Sequence, residues 1–262
     1  MFSRKKKAEE ADLDEVFDDD VDEELDDEVD EDFDDEFDDE PDELDEEDEE
    51  ELIEDAEPLD EWQALDASRD WREDGPFDIN EVDLDADDVQ RLDFGSLVVT
   101  PFDGMQLQMQ VNQDEVQSLL VVDGKSSIEI VLFAAPLRSS MLANTRAEMQ
   151  AATKEAGGTM KLAEGPLGTE IRRSMPGERD GKRTNQASRT WLAQGPRWLL
   201  RGTVTGQAAL TDSVDEGEAQ LLFEFFCNLV VRRGERPLVP GTLIALEVPD
   251  TVADRLSRRR RK

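Results

Sequence analysis

Charge is divided very unevenly along this chain of 262 residues, and the division limits where a folded domain can form. Residues 1–90 contain 47 acidic and 6 basic residues, whereas residues 91–262 contain 21 acidic and 23 basic residues. The first part therefore carries a formal charge of −41 and the second part +2. Because like charges repel and little apolar surface offsets the entropy lost on ordering, we expect the acidic part to stay unfolded in isolation.

The most acidic stretch predicts a disordered tail over residues 1–60. Residues 8–60 hold 36 acidic side chains and no basic one, yet apolar residues recur at every fourth position from Phe17 to Phe37. Positions four apart lie on one side of a helix. Two interpretations stay open: a solvated tail that keeps the protein soluble, or a regulatory segment that folds against a basic protein partner with an apolar groove.

Beyond the tail, the patterns predict a transition segment or N-terminal arm at 61–90, one domain at 91–254 and a basic C-terminal tail at 255–262. Four early strands separated by tight turns indicate an antiparallel arrangement. In the second of them, alternation predicts that Met105, Leu107, Met109 and Val111 face a core. The expected elements are strands at 94–100, 105–111, 116–122, 128–135, 159–162, 169–173, 188–193, 197–205 and 243–248, helices at 138–156 and 215–231, and an exposed loop at 176–187. This is an α+β fold with a mainly antiparallel sheet of about eight or nine strands and two covering helices.

The composition removes several classes of active site. The chain has one cysteine, Cys227, and no histidine, which excludes an intramolecular disulfide, most zinc sites and the usual nucleophile–histidine pairs. Cys227 lies among Phe225, Phe226 and Leu229, a setting typical of a buried, inert thiol. No glycine pattern indicates a phosphate loop, so we expect no cofactor. Because the chain has no histidine and one cysteine, we also expect no metal. No segment reaches the roughly 20 apolar residues of a membrane span, and we expect a cytoplasmic protein.

The strongest candidate for a binding surface is the stretch RTWLAQGPRWLLRG at 189–202. Strand alternation places Arg189 and Trp191 on one face of the first strand, and Arg197 and Arg201 on one face of the second. Arginine and tryptophan side chains together can stack on bases or bind an anionic ligand. In the alternative interpretation, the tryptophans and leucines form core and the arginines are solvated or paired across strands.

A second basic cluster is formed by Arg172 and Arg173 together with the loop residues Arg179, Lys182 and Arg183. It could bind phosphate or the acidic tail of the same chain, and an ordinary surface loop is the alternative. The terminal RRRRK at 258–262 could likewise bind nucleic acid without specificity.

Five strings of the sequence also resemble a known family: GPFDINEVDL (75–84), RLDFGSL (91–97), FAAPL (133–137), EGPLGTEIR (164–172) and GPRWLLRG (195–202). Their order resembles an actinobacterial family catalogued as domain of unknown function 3710, over residues 75–249. The resemblance implies a cytosolic protein of a high-GC Gram-positive bacterium and implies no activity.

Three functional hypotheses follow from the sequence. The first is a non-enzymatic binding or adaptor protein whose acidic tail regulates access to the domain. The second is a nucleic-acid-associated factor whose tail mimics the charge of DNA or is autoinhibitory. The third, which the missing histidine disfavours, is an enzyme that uses carboxylates with lysine or arginine.

Overall fold

The structure, a computed structural model, describes residues 60–113, 115–179, 182–215 and 217–249. These residues form three α-helices: α1 (Glu61–Ala67), α2 (Leu142–Glu155) and α3 (Gly217–Cys227). They also form eleven strands: β1 Phe77–Asp78, β2 Leu92–Asp93, β3 Leu97–Val99, β4 Gln106–Asn112, β5 Glu115–Asp123, β6 Ser126–Ala134, β7 Thr159–Gly165, β8 Gly168–Arg179, β9 Lys182–Gly195, β10 Trp198–Gly206 and β11 Val230–Val231. The predicted α+β class is confirmed, with two sheets in place of one. Apart from Asp60, the predicted tails at 1–60 and 255–262 lie outside the described residues.

The larger sheet has seven strands in the order β4-β5-β6-β10-β9-β8-β7, and all its neighbours are antiparallel. The predicted Asp123-Gly124 hairpin joins β5 to β6, and Gly124 adopts a φ of 55° there. The smaller sheet has the order β1-β11-β3-β2, in which β1 and β11 are parallel. Its core is formed by Phe77, Val82, Val98 and Val230.

The first face of the seven-stranded sheet packs against α3 and holds the main core. Leu222, Phe225 and Phe226 of α3 recur at helical spacing, and they pack with Trp198, Leu200 and the inward residues of β5 and β6. Gly202 of β10 allows this close approach. A Cβ built on it would lie 2.7 Å from the ring of Phe226. The predicted burial of Phe225, Phe226 and Leu229 is confirmed.

The second face of the same sheet is only partly covered by α2. A smaller core joins Met149 of α2 to Ile171, Leu192 and Leu199 of the sheet. At its N-terminal end α2 lies beside α1, where Asp66 forms an ion pair with the buried Arg146. Asp66 also accepts a hydrogen bond from the backbone N–H of Thr169 at 2.9 Å, which ties α1 to β8. The sequence did not predict α1, which begins with a capping box between Asp60 and Gln63.

Two predicted boundaries are wrong for the same physical reason, that backbone pairing decides them. The described parts of the expected loop, 176–179 and 182–187, continue β8 and β9, whose pairing extends to Arg179 opposite Lys182. Their glycine, proline and polar residues indicate a loop, but cross-strand hydrogen bonds hold them as a hairpin beyond the core. The expected strand at 243–248 is reduced to isolated bridges from Leu243 to Phe133 and from Leu246 to Val116.

Two further expectations also need correction. The helix predicted at 215–231 corresponds to α3, which ends at Cys227. Val230 and Val231 are not helical because they pair with β3 and β1. Met105, Leu107 and Met109 pack on the main core as predicted, but Val111 is 58% exposed. Within the described residues, no helix combines the length and apolar composition that crossing a membrane requires.

Candidate anion-binding site

The candidate site lies on the second face of the seven-stranded sheet, beyond the part that packs against α2. Since Leu200, Gly202 and Val204 of β10 face α3, alternation turns Arg201, Thr203 and Thr205 to the second face. Register then brings polar neighbours beside them on β6 and β9. Thr203 lies between Glu129 and Thr190, and Thr205 lies between Ser127 and Ser188. Arg173 of β8 is paired with Ser188, which puts it on the same face.

Arg201 is a half-buried cation whose side chain forms no hydrogen bond and no ion pair with the described residues. Its guanidinium carbon lies 5.0 Å from the centre of the Phe133 ring, and its Nε atom is buried without a hydrogen bond. Burial lowers the pKa of Arg201, and the positive charge of Arg173 lowers it further, while the carboxylate of Glu129 acts in the opposite direction. The side chain therefore retains hydrogen-bond donors that the described protein leaves unused.

Arg173 repeats this situation on β8. Its Nε is also buried without a hydrogen-bond partner, and burial lowers the pKa of its guanidinium. Neither Arg173 nor Arg201 forms an ion pair with any residue that the structure describes. Arg173 and Arg201 lie on the same face of the sheet, and the positive charge of Arg173 lowers the pKa of Arg201.

The remaining polar groups of the site are mostly hydroxyls. The hydroxyls of Ser127 and Thr205 share a hydrogen bond of 2.9 Å. Glu129 accepts a hydrogen bond of 2.9 Å from Ser118 and is the carboxylate that acts on Arg201. With two guanidinium groups and one carboxylate, the site has a formal charge of +1. Such a surface can bind a phosphate or a carboxylate through charge-assisted hydrogen bonds.

Arg189 and Trp191 lie outside the candidate site, although the sequence placed them on a candidate binding surface. Both lie in the core on the first face, where the buried carboxylate of Glu170 holds them. Arg189 donates to Glu170 from Nε at 2.9 Å and from Nη2 at 2.7 Å, and the indole N–H of Trp191 donates at 2.8 Å. Trp191 is 1% exposed. The alternative interpretation, in which tryptophan forms core and arginine pairs across strands, describes this group.

Arg172 completes the same network from the edge of the first face. It donates to Glu170 from Nε at 2.8 Å and to Asp212 from Nη1 at 3.3 Å. Partial burial opposes its charge, but the hydrogen bonds and charges of Glu170 and Asp212 outweigh burial and raise the pKa of Arg172. Arg172 and its neighbour Arg173 thus lie on opposite faces, and only Arg173 belongs to the candidate site.

Arg197 lies in the β9–β10 turn, with a φ of 62°. Its guanidinium donates to the carbonyl oxygen of Gly234, and its own carbonyl oxygen accepts from Nε of Arg233 at 3.0 Å. Of the six sequence-predicted residues, the structure places Arg173 and Arg201 on one face of the sheet, and it joins Arg172, Arg189 and Trp191 through Glu170 on the other. Arg197 stands apart from both groups.

Sequence reasoning missed one carboxylate in each group: Glu170, which binds Arg172, Arg189 and Trp191, and Glu129, which acts on Arg201. Neither Glu129 nor Glu170 is among the candidate site residues that the sequence indicates. The only sequence signal for Glu170 is a carboxylate in a strand that also carries arginine. Nothing in the sequence gives the register that places it beside Arg189, 19 residues away. The effect of Glu129 on Arg201 likewise follows only when β6 and β10 are known to be neighbours.

Metal and thiol chemistry find no support in the described part of the chain. No group of three or more histidine, cysteine, aspartate or glutamate side chains there could hold a metal ion. Cys227 is buried, as predicted. Burial, with smaller contributions from Asp74 and Glu224, raises the pKa of its thiol to about 12. The thiol is therefore neutral at ordinary pH and unreactive.

Comparison with known proteins assigns the chain to a family. A family model described as protein of unknown function (DUF3710) matches residues 75–255. The chain belongs to this family. The resemblance of the five sequence strings is thus confirmed, and the family description assigns no activity.

Other comparisons add little. No curated protein matches this chain. A crystal structure of a protein from Bacteroides thetaiotaomicron is similar at 12% sequence identity and a TM-score of 0.32. That match covers 55% of this chain and 48% of the other, so the chain spans about half the length of that protein. A likeness this low carries no argument about function.

Proposed function

We propose that this protein is a non-enzymatic binding or adaptor protein whose domain, residues 91–254, binds an anionic group at Arg173 and Arg201. The observation that carries the proposal is the pair of half-buried guanidinium groups, which have no ion-pair partner among the described residues. Removing a cation from water without pairing it is unfavourable. A ligand carboxylate or phosphate would restore that interaction, and each hydrogen bond to a charged group contributes about 1.5–3 kcal/mol.

The acidic N-terminal segment gives this binding a means of regulation. Residues 1–90 carry the same sign of charge as the ligand, so they lower the local concentration of free anions around the chain. The effect should weaken as salt screens it. The segment can also attract a basic partner protein, and its apolar residues at four-residue spacing favour such a partner.

The domain proposal is tested by titrating the full-length protein with a labelled poly-glutamate peptide and, separately, with inorganic phosphate. We expect the variant Arg173→Ala/Arg201→Ala to bind the peptide at least tenfold more weakly, because both donors of the site are lost. The matched control is Lys161→Ala/Arg183→Ala, which removes two exposed cations elsewhere in the domain. Equal loss in both double variants would show that net charge, and not this site, attracts the peptide.

The regulatory part has its own test. In a full-length variant with the acidic residues of 8–57 changed to asparagine and glutamine, we expect tighter peptide binding at low salt and little change at high salt. Unchanged binding at low salt would contradict regulation by charge. A pull-down on the same two proteins tests the basic partner, which should be recovered only with the acidic segment intact.

The other two hypotheses receive less support. The nucleic-acid hypothesis used Trp191 for stacking, but Trp191 and Trp198 are buried. Single-stranded DNA in the same titration tests what remains of it, namely phosphate binding at Arg201. The enzyme hypothesis lacks a histidine, the commonest general base, because the chain contains none. The cytoplasmic location and the actinobacterial origin rest on the family resemblance and stay proposals.

A further inference from the structure

The strand β4 forms one edge of the seven-stranded sheet. It pairs with β5 on one side, and no described residue makes a backbone hydrogen bond to its other side. Four of its seven residues are amides, and these amide side chains are exposed. An edge of this length presents a row of unpaired N–H and C=O groups that another strand can use.

The residues of β4 lack the usual features that block such pairing. Its sequence, QLQMQVN, contains no charged residue and no proline. At the opposite edge, β7 carries Lys161 and Glu164. The irregularity in the β4–β5 pairing lies in β5, where Gln117 is skipped between Ser118 and Val116, so β4 itself stays regular. Since charge, proline and bulges are the common protections of edge strands, β4 is the unprotected edge.

The strand is also complementary to a second copy of itself. Antiparallel pairing centred on Met109 uses all seven residues and sets Leu107 opposite Val111. On the other face, Gln108 meets Gln110 and Gln106 meets Asn112. Apolar side chains thus meet apolar ones, and amides meet amides. The exposed Val111, which alternation places on the core side of β4, would be covered by Leu107 of the copy.

We infer that β4 pairs with β4 of a second copy of this chain about a two-fold axis, which joins two seven-stranded sheets into one. A single strand pair buries less than the roughly 1,600 Å² of a standard interface, so the dimer should depend on protein concentration. Each chain carries a net charge of −39, which opposes association and is screened by salt. Dimer formation should therefore increase with salt.

Sedimentation velocity of the full-length protein at about 0.05 M and about 0.5 M sodium chloride tests the inference. We expect a larger dimer fraction at the higher salt concentration. Val111→Lys should abolish the dimer, because it sets a cation against Leu107 of the copy. The matched control, Val239→Lys, changes another exposed valine, which is 74% exposed in a loop, and should leave the dimer intact. A monomer under all conditions, or a dimer that survives Val111→Lys, would overturn the inference.

Disulfide cross-linking tests the register independently. Met109→Cys should give a covalent dimer on oxidation, because directly opposed residues lie within the Cα separation that a disulfide spans. Gln106→Cys should not, since the two copies of residue 106 would lie about 20 Å apart along the strands. The native Cys227 is buried and does not interfere. Equal cross-linking of both variants, or of neither, would contradict pairing centred on Met109.

Discussion

The arginines of this chain show how a residue's role depends on what register places beside it. Arg189 and Arg201 belong to neighbouring strands of one sheet, and Arg189 is buried whereas Arg201 is half-buried. Arg189 donates hydrogen bonds to the carboxylate of Glu170, whereas the guanidinium of Arg201 lies near the ring of Phe133 and forms no hydrogen bond with the described residues. The sequence could nominate both as candidates. It could not separate them, because the deciding partner lies on a strand whose position is unknown without the fold.

Glu170→Gln tests the assignment of the buried network to stability. The substitution preserves shape but removes the charge that pairs with Arg189 in the core, and breaking a buried ion pair costs about 3–5 kcal/mol. Urea unfolding should show this loss in the free energy of unfolding. Glu164→Gln, at an exposed position of β7, is the matched control and should change stability by less than about 0.5 kcal/mol. A similarly small effect for Glu170→Gln would mean that water or another residue pairs with Arg189.

Among the elements, those with strong local signals were predictable from sequence. Alternation in β4 and a turn pair after β5 identified the first hairpins, and apolar spacing identified α2 and α3. The elements that failed depend on distant partners. The extension of β8 and β9 has loop-like composition, and the segment 243–248 has a strand pattern but only isolated bridges. The helix α1 is short, and its contacts come from α2 and β8.

The packing of α3 on β10 depends on Gly202, which gives a prediction at this scale. Gly202→Ala places a methyl group within 2.7 Å of Phe226 and 2.9 Å of Ile128, so the helix or the strand must shift. Overpacking of this kind costs about 1–3 kcal/mol, measurable as a lower midpoint of urea unfolding. Gly177→Ala in β8 is the control, since its nearest neighbour would be Thr184 at 3.6 Å, an ordinary contact. Equal midpoints for both variants would refute close packing at Gly202.

For the whole molecule, the dominant feature is the charge boundary within the sequence. The described residues between 60 and 249 form two sheets and their cores, and the family match over 75–255 overlaps most of this region. The expectation that 1–60 is disordered and that 91–254 is one domain comes from composition and stays a prediction.

Limited proteolysis with a glutamate-specific protease tests that prediction. The acidic stretch offers many cleavage sites, and we expect it to be removed well before any cut within 91–249, because packed backbone resists proteolysis until it opens. Mass spectrometry of the fragments over time gives the order of cleavage. Simultaneous loss of both regions would contradict the division, and so would survival of the acidic part.

The two edge strands of the larger sheet differ in charge, and this difference limits how many molecules can assemble. A sheet in which both edge strands can pair with other molecules can add copies without limit and grow into fibres. Here the β7 margin carries charge and the β4 margin does not. Pairing through β4 uses the uncharged edge of each larger sheet and leaves the charged β7 edges at the two ends of the joined sheet. Assembly should therefore stop at a pair.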